Sequence, residues 1–143
     1  MKNQYWVLVA NSSSARLFRL DKMKELSEIH TFVHPQSRLK EQDLVDASPG
    51  RANESVGPTR HAMEPHSTQK DQESAEFAKK ISEYLESARN ESSFSRLYIT
   101  AGPTFLSNLR KTLHPQTLEL VAKQVTKDLV HADKAQILDE ILS

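Results

Sequence analysis

The sequence reads as one α/β domain, a mixed sheet with helices flanking it. Three observations lead there. An uncharged apolar run near the start is followed at hairpin distance by alternating segments; helical stripes later bracket a second short apolar run; and 143 residues suit a single domain. No internal repeat and no second domain is visible, so residues 1–143 are read as one unit.

Tyr5-Trp6-Val7-Leu8-Val9-Ala10 combines aromatic and β-branched residues, the composition of a strand covered on both faces. Asn11-Ser12-Ser13-Ser14 is a turn cluster. From Ala15 to Leu20 the pattern alternates, with Ala15 and Leu17 on one face and Arg16, Phe18 and Leu20 on the other, as in a second strand folded back in a hairpin. A third strand is expected over Leu26 to Val33, with Ile29 and Val33 in its apolar set. Three strands joined by short turns make a meander.

Beyond them, regular patterning stops. Residues 35–70 hold Pro35, Pro49, Pro58 and Pro65 with Gly50 and Gly57. Loops longer than about 12–15 residues are uncommon in compact domains and usually functional or disordered. Leu39, Leu44, Val45, Val56 and Met63 with balanced charge argue for a loop mostly packed on the domain, mobile near 50–60.

From Asp71 a helix is predicted, its stripe formed by Phe77, Ala78, Ile81, Leu85 and Ala88. Leu97-Tyr98-Ile99-Thr100-Ala101 reads as a buried strand closed by Gly102-Pro103, and Pro103 suits the first turn of another helix bearing Phe105, Leu106, Leu109 and Leu113. His114-Pro115 ends it. Residues 118–129 stay open: Leu118, Val121, Ala122, Val125 and Leu129 fit a helical stripe, while a short turn and a strand over about 120–127 is the competing reading. Asp133 with Gln136 resembles a capping box ahead of a closing helix.

Zero cysteines exclude disulfides, thiolate metal sites and a cysteine nucleophile, and fit a reducing compartment. Nineteen basic and nineteen acidic residues cancel, unlike a general nucleic-acid binder, which is usually distinctly basic. The six-residue apolar run falls short of the about 7–15 of a signal peptide and the about 20 of a membrane span. No membrane span and a cytoplasmic location are expected.

Candidate chemistry centres on the loop. Arg38, Arg51, Arg60, His61 and Lys70 could converge on an anion, guanidinium offering paired donors. The competing account pairs the basic groups with Glu41, Asp43, Asp46, Glu54 and Glu64 inside the loop. His61, Glu64 and His66 could ligate zinc, but Pro65 and the loop context argue against the rigid spacing a catalytic zinc needs. No metal and no cofactor are expected. A two-metal nuclease needs converging carboxylates, and residues 1–20 contain none. Ser12-Ser13-Ser14 lacks the glycines of a nucleophile elbow and reads as a turn. Gly102-Pro103 reads as a structural turn, and Trp6 and Tyr98 as core. No catalytic residue is assigned, and the chain is expected not to be an enzyme.

The ordered blocks Trp6-Val7-Leu8-Val9-Ala10-Asn11, Ala15-Arg16-Leu17-Phe18, His34-Pro35-x-Ser37-Arg38, Asp46-x-x-Pro49-Gly50-Arg51, Arg60-His61-x-x-Glu64-Pro65 and Lys127-Asp128-Leu129 resemble the bacterial host-attachment protein family. That family is similar in fold to the middle domain of archaeal and eukaryotic peptide-chain release factors, a relative of the RNase H-like fold. The resemblance implies β-β-β-α-β-α-β-α and so favours a strand near 120–127. In release factors the segment after the third strand carries a Gly-Gly-Gln tip that enters the ribosome. Residues 35–70 correspond to it and lack Gly-Gly-Gln, which argues against peptidyl-tRNA hydrolysis. The resemblance implies a module contacting RNA, tRNA or the ribosome through this loop. The alternative is a protein–protein interaction module in attachment or stress physiology, and a loop-based hydrolase ranks below both.

Overall fold

Six uncharged residues, Tyr5–Ala10, form β1, and Val7 through Ala10 have no exposed surface because layers of the protein cover both faces of the strand. The computed structural model describes residues 4–34 and 69–143. In these residues β2 (Ser14–Leu20), β3 (Leu26–Val33), α1 (Gln69–Asn90), β4 (Arg96–Ala101), α2 (Pro103–Thr112), α3 (Pro115–Glu119), β5 (Val121–Val125) and α4 (Lys134–Leu142) follow β1. The five strands make one mixed sheet in the order β3-β2-β1-β4-β5, with β1, β4 and β5 parallel and β2 and β3 antiparallel to their neighbours. This is the single mixed α/β domain with flanking helices expected from the pattern.

Local chemistry sets the turns. The Asn11 side-chain oxygen accepts the backbone N–H groups of Ser13 (2.8 Å) and Ser14 (2.9 Å), closing the β1–β2 hairpin. Asp21 does the same for Met23 and Glu25 in the next turn, where Lys24 adopts φ 62°. The Asp133 carboxylate accepts the Gln136 N–H at 2.9 Å, the cap read from the sequence. His114 caps α3 through its ring Nδ1, which accepts the Gln116 N–H at 3.0 Å.

Apolar side chains fill both sides of the sheet. On one side Leu8, Leu17 and Ile99 meet Phe77, Ile81 and Leu85 of α1 and Phe105, Leu106 and Leu109 of α2. On the other, Val7, Val9, Phe18 and Leu20 meet Leu129, Val130, Ile137 and Ile141. Trp6 stacks on Phe94 at 4.9 Å within the first cluster.

One open reading is decided and two change. Over residues 118–129 the five-residue α3 precedes β5, the alternative that the resemblance favoured, since pairing with β4 outweighs a stripe of apolar residues at helical spacing. Lys70, assigned to the loop, lies in the first turn of α1, which begins at Gln69 rather than Asp71. Ile29 and Val33 are not buried; they are 36% and 43% exposed. β3 is an edge strand, and a register shift opposite Leu17/Phe18 makes Ile29 the extra residue of a bulge.

The bulge also puts Glu28 and Thr31 on one face beside Arg16. Arg16 pairs with Glu28 at 3.2 Å and Thr31 donates to it at 2.7 Å. The Arg16 hydrogen bond holds the Glu28 carboxyl below its ordinary value against the opposing effect of burial, with Thr31 assisting.

Two outcomes follow from this architecture. Leu8→Ala is expected to cost about 2–5 kcal/mol of stability in denaturant unfolding, since it opens a cavity between the central strand and the layer of α1 and α2. Glu28 has a depressed folded pKa, so its contribution is complete above the unfolded glutamate value and disappears as pH falls through the folded one. Glu28→Gln should therefore flatten that stretch of an acid titration of stability while costing stability at neutral pH.

Candidate functional site

Parallel pairing of β1 with β4 brings Ala10 opposite Ala101, so the two strands end side by side. From there the chain departs in opposite directions: β1 turns back into β2, and β4 continues through α2 and α3 to β5. Such a divergence leaves a crevice beyond the carboxyl ends of the strands, the usual ligand position in open α/β sheets. A cleft of about 300 Å³ occupies this place. Asn11 and Ser12 line it from the hairpin, Lys70, Asp71 and Ser74 from α1, and Gly102, Pro103, Thr104 and Phe105 from the β4–α2 junction.

The walls are tied together by polar contacts. Asn108 of α2 donates to the Ser74 hydroxyl at 3.1 Å, and the Ser82 and Thr112 hydroxyls meet at 2.7 Å, fastening α1 to α2. Asn11 donates from Nδ2 to the Asp128 carboxylate at 3.1 Å, and the buried Thr100 hydroxyl donates to the Lys127 carbonyl at 2.8 Å. The ends of β1 and β4 and the segment after β5 are thereby joined.

Electrostatically the cleft combines donors with the Asp71 carboxylate. Gly102 caps α2 without a side-chain hydrogen bond, and Pro103 has no N–H, so the free amides of the first turn begin at Thr104. A Cβ at Gly102 would meet nothing within 4 Å, so this wall is open rather than crowded. Lys70 is exposed on the facing helix and makes no ion pair among the described residues. Backbone N–H groups at a helix start together with an ammonium group suit an oxyanion such as phosphate.

Of the candidates read from the sequence, Lys70 is in the cleft. Arg38, Arg51, Arg60, His61, Glu64 and His66 lie outside the described residues. The chain nevertheless enters and leaves that stretch beside the cleft. His34 donates its backbone N–H to Ser13 at 3.1 Å, next to Ser12, and Lys70 follows Gln69. His34 is itself unusual. Its ring stacks on Phe77 at 5.1 Å, is 4% exposed, and has among the described residues no hydrogen-bond partner for either nitrogen. Among the described residues no group of three or more His, Cys, Asp or Glu could hold a metal.

Sequence reading missed the Asn11–Asp128 contact, and it read Gly102-Pro103, which lines the cleft, as a structural turn. Asn11 and Lys127-Asp128 stood out as separate blocks, but 117 positions separate the partners and nothing local pairs them.

The family described as "Protein required for attachment to host cells" matches residues 6–141. Among solved structures, the type II variant of the Ppx/GppA phosphatase from Aquifex aeolicus is similar at a TM-score of 0.41 and 17% identity, over 87% of this chain. The chain spans 35% of that protein's length. No curated protein matches. No helix among the described residues is long and apolar enough to cross a membrane.

Removing the Asn11 side chain tests the clasp. Asn11→Ala should lower stability by about 1–3 kcal/mol in thermal or denaturant unfolding. Asn11→Asp keeps the hairpin acceptor but sets a carboxylate against Asp128, so its deficit should shrink at acid pH.

Proposed function

The chain belongs to the family of proteins required for attachment to host cells, and from that footing we propose that it is a non-enzymatic, cytoplasmic module that binds RNA. The cleft beyond β1 and β4 holds a phosphate of the RNA, and the basic residues of 35–70 add contacts along the strand. The release-factor and RNase H-like likeness read from the sequence belongs to the same proposal, with tRNA or the ribosome as the natural sources of the RNA.

One observation carries it: a cleft of about 300 Å³ at the divergence of β1 and β4, lined by Lys70 and the uncapped start of α2. Phosphate is the group that helix-start amides and an ammonium recognise together. Arg38, Arg51, Arg60 and His61 sit on the stretch whose flanking residues, His34 and Gln69, adjoin this cleft. Zero net charge means that binding has to come from such a local arrangement rather than from the field of the whole molecule. Release of counterions from the RNA would make the affinity fall with salt.

Filter binding with short single-stranded RNA and with tRNA, at low and moderate salt, provides the test. Retention should weaken with salt, and Lys70→Ala should reduce the salt slope by about 1. Arg51→Ala/Arg60→Ala should weaken binding further. Absence of RNA retention at low salt, or variants that behave as the parent does, would remove the proposal.

A further inference from the structure

The outer edge of β3 differs from the rest of the surface. Five large apolar side chains are exposed among the described residues: Met23, Ile29, Val33, Tyr84 and Leu142. Ile29 and Val33 lie on β3, Met23 lies in the turn leading into it, and Tyr84 stacks on His30 of β3 at 4.8 Å. Phe32 completes an aromatic cluster, 4.5 Å from His30 and 5.2 Å from Tyr84, edge to face with each. Two of the five exposed groups thus lie on this edge strand, a third in the turn before it and a fourth against its His30.

The backbone of that edge is arranged for pairing. His34 donates its N–H to Ser13, and in an antiparallel ladder bonded and non-bonded pairs alternate. With Ala15 opposite Phe32 as the next bonded pair, Thr31 and Val33, opposite Arg16 and Ser14, turn their N–H and C=O groups away from β2. Natural edge strands are commonly blunted by lysine or proline. Between Leu26 and Val33 there is neither, and the one formal charge, Glu28, is neutralised by Arg16 at 3.2 Å.

We propose that this edge pairs with β3 of a second copy of the chain, antiparallel across a two-fold axis at Phe32. In that register Thr31 of each copy faces Val33 of the other, and each such pair exchanges both backbone hydrogen bonds. Phe32 meets its counterpart at the axis, flanked by the His30–Tyr84 stacks on the same side of the sheet. The edge is self-complementary in this register, as a two-fold interface must be. Zero net charge leaves no general repulsion between copies. The five-stranded sheet becomes one of ten strands.

Sedimentation equilibrium over a range of concentrations tests the pairing. The parent should approach twice the monomer mass as concentration rises. Val33→Pro deletes an outward N–H that the ladder to β2 does not use, so it should stay monomeric while circular dichroism shows the parent's fold. Val33→Lys, which keeps the N–H but adds a charge, provides a second variant if proline disturbs folding, and it should also weaken the dimer. A parent that is monomeric throughout, or a dimer that survives in both variants, overturns the proposal.

Discussion

The arrangement depends on one constraint: β1 is buried on both faces and has neighbours of opposite polarity. A strand covered by two layers must be apolar throughout, and Val7 to Ala10 meet that demand with no exposed surface. Its backbone is satisfied on one edge by the antiparallel hairpin to β2 and on the other by parallel pairing with β4. A parallel neighbour cannot be reached by a tight turn, so a crossover including α1 intervenes, and the carboxyl ends of β1 and β4 finish together. The cleft is the space their diverging connections leave.

Polar groups around that space are used economically. Asn11 serves the hairpin with its oxygen and Asp128 with its nitrogen, so one side chain sets the turn and ties it to the far end of the sheet. Thr100, fully buried, satisfies its hydroxyl on the Lys127 carbonyl. Hydroxyl and amide contacts bind α1 to α2. Against that background the start of α2 stands apart, because no side chain caps it and its first residues line the cleft. The His34 nitrogens, without a partner among the described residues, are a second exception, since buried polar atoms are nearly always hydrogen-bonded.

Most elements were legible because each carries a signal within a few residues. The run Tyr5–Ala10, the turn at Asn11–Ser14, the stripe of α1, Pro103 at the start of α2 and the Asp133 cap act locally and were read at or near their observed positions. What stayed open or was misread shares another cause. Leu118, Val121, Val125 and Leu129 fit a helical stripe as well as a strand, and only the hydrogen-bonding edge of β4 decides for the strand Val121–Val125. Ile29 and Val33 have the composition of core residues but lie on the last strand of the sheet, where a bulge and the absence of a further strand among the described residues leave them exposed. Of the candidate site, only Lys70 was named in advance. Its partners in the cleft come from a hairpin and a strand–helix junction that are distant in sequence.

The amino-acid sequence by itself determined the class of the fold, the hairpin meander, the starts of α2 and α4 and the absence of thiol chemistry, because periodicity, turn residues and composition act over a few positions. Tertiary structure alone decided which strand ends lie side by side, which edge is left open, and that Asn11 meets Asp128. Those outcomes depend on the order and polarity of strands in the sheet, a property of long-range pairing that no single segment contains.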